Sequence, residues 1–239
     1  MAGSVKTEAI VLRSIRYGEG DRVLHLYTPH RGRVGAIAKG ARKARSRFGG
    51  RLEPFFRLRL LLHEGRSDLL TVTSAETVEA FGRLRADGGA LDAAARAAHA
   101  VDRLFEAGDP NPPVFHLLAN ELALLDARPE LAGHANQLAF RLKLLVAAGL
   151  GPQLSSCAEC GEGDHLGGYS PAAGGVVCGA CEASAFPLAE EAYAFLVDAM
   201  GRPLADSPVA SPRALRQAER AIAETAEHHA HVRWRAAAA

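Results

Sequence analysis

Aromatic residues make up only 6% of this 239-residue chain, with one Trp and two Met, and no apolar run reaches the eighteen or so residues needed to span a bilayer. The N-terminus has no uninterrupted apolar core of the kind a secretory leader carries, so a cytoplasmic location is expected, with no membrane partner. The patterns that announce common chemistries are missing too. There is no G-x-x-x-x-G-K-[ST], and Tyr17-Gly-Glu-Gly20 holds only a bare G-x-G, so a P-loop phosphate site is not supported. H-E-x-x-H and G-x-S-x-G are absent, and Gly168-Tyr-Ser170 falls short of a nucleophile elbow. With no motif pairing the carboxylates, no reaction is indicated and no catalytic residue is expected. His228-His229-Ala-His231 lacks a fourth ligand and reads as a solvated helix end.

Cysteine is scarce but concentrated. All four fall in 25 residues, as Cys157-Ala-Glu-Cys160, seventeen intervening residues, and Cys178-Gly-Ala-Cys181. A C-x2-C turn sets two thiolates on one side of a metal, and a hairpin of fifteen to twenty residues returns the second pair to complete a tetrahedron. The intervening glycines supply turns, while Tyr169 and Val176-Val177 read as short strands. Two disulfides are the alternative, disfavoured in a reducing compartment. The expectation is one structural Zn2+ held by Cys157, Cys160, Cys178 and Cys181, with no ligand position left open for water. His165 reads as a solvated loop residue rather than a substitute ligand.

Net charge is only +1, from 28 Lys and Arg against 27 Asp and Glu. It is unevenly spread. Residues 1–66 carry fifteen cations and five acids, a balance of +10, so the remainder sums to −9. Such asymmetry suggests that the N-terminal part meets an anion. That part also reads as strands, at Thr7–Arg13, Asp21–Thr28, Arg33–Lys39, Phe55–His63 and Asp68–Thr73, each rich in branched or aromatic residues and bounded by Gly or Pro. Five short strands with little helix between them predict a small barrel, of OB type first and SH3-like second. In the fourth strand, alternation puts Phe56, Leu58, Leu60 and Leu62 inside and Arg57 and Arg59 on a cation-bearing outer face.

Between the third and fourth strands runs Lys39-Gly-Ala-Arg42-Lys43-Ala-Arg45-Ser-Arg47-Phe48-Gly-Gly-Arg51. It shows no apolar periodicity and so predicts a mobile surface loop. Mere solvation is the bland reading of such a loop, but a basic barrel beside it favours strand binding. The expected contacts with such a strand are Arg33, Lys39, Arg42, Lys43, Arg45, Arg47, Arg51, Arg57 and Arg59, with Phe48 stacking on a base.

From Glu76 the pattern turns helical, with apolar stripes over 91–105, 114–126, 131–148, 188–200 and 213–234, the last preceded by Ser211-Pro212 as cap and first helical residue. The whole predicts an α+β protein: an OB-fold over residues 1–78, then a helical domain over 79–239 with a zinc ribbon inserted at 154–184. Arg141 and Lys143 interrupt the apolar Phe140–Leu145 segment. They read either as flanks of a partner groove or as long stems snorkelling from a core helix.

Several of these stretches are also familiar. Val5-Lys-Thr-Glu-Ala-Ile-Val-Leu12, Tyr17-Gly-Glu-Gly-Asp-Arg22, Leu26-Tyr-Thr28, Ala38-Lys-Gly-Ala-Arg42 and Ser46-Arg-Phe-Gly-Gly-Arg-Leu-Glu-Pro-Phe55 resemble, in order and spacing, the bacterial DNA repair protein RecO family. So do Phe140–Leu145, both cysteine pairs and Tyr169-Ser-Pro-Ala-Ala-Gly-Gly175. The resemblance implies a nucleoid-associated mediator that binds single- and double-stranded DNA, anneals complementary strands, and works with RecR to load RecA onto strands covered by single-strand-binding protein. It implies further that zinc supports folding rather than annealing, and that a partner carries an acidic tail; the acidic, aromatic-ended tail of single-strand-binding protein is the occupant expected on the groove reading of Arg141 and Lys143, the core-stem reading standing beside it. The end of the chain, Arg233-Trp-Arg-Ala-Ala-Ala-Ala239, has no clear counterpart. A rival from another class is a docking adaptor whose basic barrel binds an acidic peptide.

Overall fold

The structure is a computed structural model describing residues 3–65, 67–181, 183 and 185–235. Arg66, counted above among the cations, Ser184, at the expected end of the ribbon, and the last four alanines lie outside the described residues. The chain gathers into two compact units, residues 1–127 and 128–239.

The first unit is built on β1 (Ser4–Tyr17), β2 (Asp21–Thr28), β3 (Gly32–Ala38), β4 (Arg57–His63) and β5 (Leu70–Glu79). The strand order is β1-β2-β3-β5-β4, with β1 pairing with β4 through its first half and with β2 through its second. A register shift between Val11 and Arg13 lets one 14-residue strand bend and serve both neighbours. The ring is thinnest between β3 and β5, where only Ala36–Leu70 and Ile37–Thr71 pair, in parallel. This is the OB-type arrangement, and period-two alternation fills it: Leu24, Leu26, Leu58, Leu60, Leu62 and Val72 are all buried inside.

Strand β5 continues to Glu79, past the predicted change to helix at Glu76, because its partner β4 holds it in antiparallel register to the end. Then α1 (Gly82–Ala86), α2 (Gly88–Leu104) and α3 (Pro112–Ala127) follow within the same compact unit. The side chain of Asp87 caps α2 by accepting from the Ala90 amide at 2.8 Å, and α2 buries an alanine-rich face. Gly32 is indispensable at the end of the β2–β3 turn. Its φ is +56°, and a Cβ there would lie 1.9 Å from the Asp109 carbonyl oxygen.

The second unit holds α4 (His134–Ala147), α5 (Glu190–Gly201), α6 (Pro212–Ala230) and a three-stranded sheet in the order β7 (Gly175–Cys178), β6 (Leu166–Ser170), β8 (Phe186–Pro187). Ser211 caps α6 with Pro212 at its first position, as the sequence predicted. Helix α6 stops at Ala230, short of the predicted Trp234, because His231 adopts a left-handed conformation (φ 55°) and turns the chain away. Among the described residues no helix is long and apolar enough to cross a membrane.

Candidate metal centre and nucleic-acid interface

The four cysteines converge as their spacing predicts. Strand β7 delivers Cys178 opposite Leu166 of β6, and the turn before β6 closes back on itself as the Gly161 amide donates to the Cys157 carbonyl at 2.9 Å. All four Sγ atoms lie within 4.8 Å of one another, close enough for one ion to bind them all. None is in a disulfide. Backbone amides of Cys160 and Cys178 point at the Cys157 sulfur and draw its pKa down to about 6. The Cys160 thiol beside Cys181 pushes that thiol the other way, with burial adding to the effect. Four thiolates this crowded need a cation at their centre to ionise together. Among the described residues this is the only cluster of three or more potential ligands that converges. His165 is not part of it, and His229 spends its Nε2 on the Pro171 carbonyl at 2.8 Å.

The ribbon is bolted to helices of its own unit. The Tyr169 hydroxyl meets Thr225 of α6 at 2.7 Å, and burial pushes the Tyr169 pKa up to about 12. Tyr193 of α5 donates to the Leu154 carbonyl at 2.7 Å, and Arg220 lies 4.0 Å over the Phe186 ring. Gly175 permits the closest approach, since a Cβ there would sit 2.2 Å from the Gln153 carbonyl oxygen.

The nine cations expected to contact a strand divide into two groups. Arg33, Arg57 and Arg59, on the strands, are neutralised by neighbours that the fold brings alongside. Arg57 bonds Glu8 at 2.8 Å and Glu79 at 3.4 Å, Arg59 bonds Glu76 at 3.1 Å, and Arg33 bonds Asp102 of α2 at 3.1 Å. The outer face of β4 is thus not the free basic surface that its sequence suggested, because β1 places Glu8 opposite Arg59 and β5 places Glu76 and Glu79 on the other side. The second group, Lys39, Arg42, Lys43, Arg45, Arg47 and Arg51, is exposed and has no ion pair among the described residues. Three of its guanidiniums donate to carbonyls, Arg42 to Gly18, Arg47 to Val72 and Arg51 to Arg47, which orients them without cancelling their charge.

The segment that carries these cations is anchored, not a mobile loop. Ala41, Phe48 and Leu52 are buried in the barrel core, Phe48 to 1% exposure. The Phe55 amide donates to Val11 at the β1 bulge (2.7 Å), Asp21 accepts from the Gly40 amide (2.7 Å), and Arg22 grips Glu53 (2.6 Å). Arg85 of α1 stacks on Phe56 at 4.2 Å. The open end of a small barrel exposes apolar interior, and this turn closes it with Phe48 and Leu52. Phe48 therefore cannot be the stacking aromatic. Phe48→Ala is expected to cost about 3 kcal/mol of stability as a core truncation. A lowered urea midpoint for every batch, with DNA affinity per folded molecule unchanged, would verify this.

Comparison with known proteins gives the affiliation. The family model described as Recombination protein O N terminal matches residues 1–81, and Recombination protein O C terminal matches residues 85–235. The chain belongs to the RecO family. Among RecO relatives, a DNA repair protein RecO of Anaeromyxobacter dehalogenans is 41% identical over 234 residues, covering 94% of this chain and 91% of the relative. Another, from Rubrobacter xylanophilus, is 41% identical over 224 residues, covering 91% and 88%.

Of the two readings of Arg141 and Lys143 in this RecO-family chain, the contacts favour stems packed in a core helix over a partner groove. Arg141 is 3% exposed, lies 3.7 Å from Glu219 of α6, donates to the Arg235 carbonyl at 2.5 Å and sits over Trp234. Lys143 is half-buried and donates to the Met200 carbonyl at 3.0 Å, and desolvation lowers its pKa. Both cations of the Phe140–Leu145 segment are committed to contacts within the second unit. The sequence suggested core stems as one reading but not their acceptors, which are backbone carbonyls 57 and 94 residues away.

Proposed function

We propose that this RecO-family chain is a DNA repair and recombination mediator, cytoplasmic and associated with the nucleoid. It binds single- and double-stranded DNA, anneals complementary single strands and, with RecR, helps load RecA onto strands covered by single-strand-binding protein. The supporting observation is the uncompensated charge of the anchored 39–51 turn, beside barrel strands whose Arg33, Arg57 and Arg59 are ion-paired. Annealing brings two mutually repelling polyanions together, so a catalyst must lower phosphate repulsion and leave base edges free. Cations oriented by backbone carbonyls on an ordered turn do this without sequence readout. No nucleotide hydrolysis is required, and the chain acts as a mediator rather than an enzyme.

DNA is proposed to enter through residues 1–78, while the remaining residues, 79–239, serve as scaffold and partner surface. The −9 balance of residues 67–239 would repel a strand and direct it to the barrel. The ion at Cys157, Cys160, Cys178 and Cys181 is proposed to be zinc. Four sulfurs at tetrahedral corners about 2.3 Å from a zinc would stand ~3.8 Å apart, and Cys160 and Cys178 are at 3.7 Å. With all four positions taken by protein the ion is structural.

Annealing of labelled complementary oligonucleotides, bare and coated with single-strand-binding protein, tests the reading. The chain is expected to accelerate both reactions well above the spontaneous rate, and RecR to be required for RecA loading alone. Binding that ignores DNA but responds to an acidic peptide would favour a docking adaptor instead.

A further inference from the structure

Burial of Phe48 leaves the basic turn without the aromatic partner that strand binding ordinarily employs. The fold supplies another from a different part of the sequence. Tyr17, at the end of β1, is 58% exposed, and it is the one aromatic among the exposed large apolar side chains of the described residues. Ile15, two residues before it and so on the same face of the strand, is 37% exposed.

Four contacts bring the cations of the turn to this tip. Asp21, paired in register with Tyr17, accepts from the Gly40 amide at 2.7 Å. The Arg42 amide donates to the Gly20 carbonyl at 2.8 Å, and its guanidinium donates to Gly18 at 3.2 Å. The stem of Lys43 lies against Gly20, where an added Cβ would come within 3.3 Å of it. On the opposite face of the hairpin, Arg16 stands directly across from Arg22. Arg22 is satisfied by Glu53 and Ser14, whereas Arg16 is exposed and has no ion pair among the described residues. Like charges directly opposite one another are unfavourable, and an external anion relieves them. Arg13, Arg16, Arg22, Arg42 and Lys43 outnumber the acids beside them, Glu19, Asp21 and Glu53, so the tip stays positive.

We propose that Tyr17 is a stacking platform for an unpaired nucleobase, with Arg16, Arg42 and Lys43 taking the phosphates on either side of it. The inference rests on the DNA-binding reading above and deepens it. An exposed ring among uncompensated cations complements a polyanion that carries planar apolar groups; an apolar protein partner would leave the cations unmet. The proposal assigns a strand preference. Bases of a duplex are stacked on one another and hidden from such a ring, so Tyr17 contributes to single strands and not to duplexes.

Fluorescence anisotropy with a labelled oligothymidylate and a blunt duplex of equal length tests it on the full chain. Tyr17→Ala is expected to weaken oligothymidylate binding about 10-fold, to leave duplex binding within about 2-fold, and to leave the salt slope unchanged, since a base contact and no phosphate contact is lost. Tyr17→Phe, which keeps the ring, is expected to retain parental affinity. Tyr17→Ala binding single strands like the parent, or losing single strands and duplex alike, overturns the proposal. The variant with Arg42, Lys43, Arg45 and Arg47 changed to Ala separates the two levels. If it loses DNA while Tyr17→Ala does not, the DNA-binding reading stands and the stacking platform falls. If the parent itself binds neither probe, both fall.

Discussion

Protein purified without added metal is expected to contain one zinc ion per chain by elemental analysis, and Cys157→Ser with Cys160→Ser to lose both the ion and the fold of the ribbon. The argument is one of size. The sheet consists of strands of five, four and two residues, and among the described residues the buried cluster around the cysteines is Cys157, Val177 and Cys178, with a few half-buried neighbours. So small a core cannot offset the entropy of ordering its own backbone, and modules of this kind depend on a metal or disulfides. No disulfide is present here. The Tyr169–Thr225 bond ties the ribbon to α6, so its collapse exposes apolar surface of that helix as well. A loss on the order of 5 kcal/mol lowers the melting temperature of a chain this long by about 10–20 °C, with aggregation following. A double variant that melts with the parent, or a preparation free of zinc that remains folded, would exclude a structural metal.

Changing Arg42, Lys43, Arg45 and Arg47 together to Ala is expected to flatten the dependence of single-strand affinity on salt. Each phosphate contact releases condensed counterions and contributes about 0.7 to the log-log slope for single strands, so four lost contacts make it shallower by roughly 3. Stability should hardly change. The four side chains are exposed, and the turn is held by Phe48, Leu52 and the bonds to Val11 and Asp21, which the substitutions leave in place. Arg33, Arg57 and Arg59 provide the contrast. Removing Arg57 strands Glu79, leaves Glu8 only the Arg59 contact at 3.9 Å, and should alter the barrel more than the slope. A slope that stays at the parental value in the fourfold variant would move the phosphate contacts off this turn.

Some of this architecture is legible residue by residue. A thiolate pair separated by two residues has few ways to be useful, so the two C-x2-C pairs with a glycine-rich interval specify their own convergence, and the four sulfurs meet as the spacing requires. The alternation Leu58, Leu60, Leu62 likewise fixes which face of β4 fills the barrel, because strand geometry leaves one choice of side. The uneven charge, +10 in the first 66 residues, is a property of composition alone.

Which of those charges remain available is a property of pairing. Arg57 and Arg47 look alike in sequence, yet β1 and β5 bring Glu8 and Glu79 to the first while no carboxylate pairs with the second among the described residues. The two aromatics near the basic turn are also indistinguishable by local pattern. Phe48 is buried in the barrel core and Tyr17 stays in solvent, because the turn packs its aromatic inward while the end of β1 leaves its own exposed. Arg141 and Lys143 are decided in the same way, by carbonyls of Arg235 and Met200 that no sequence window contains. The sequence by itself thus determined the local geometry: the metal knuckles, the strand faces, the helix caps and the total charge, each set within a few residues by spacing and periodicity. Only the tertiary structure decided which cations stay uncompensated and which aromatic stays exposed, because both depend on partners that strand pairing and core closure bring together from tens of residues apart.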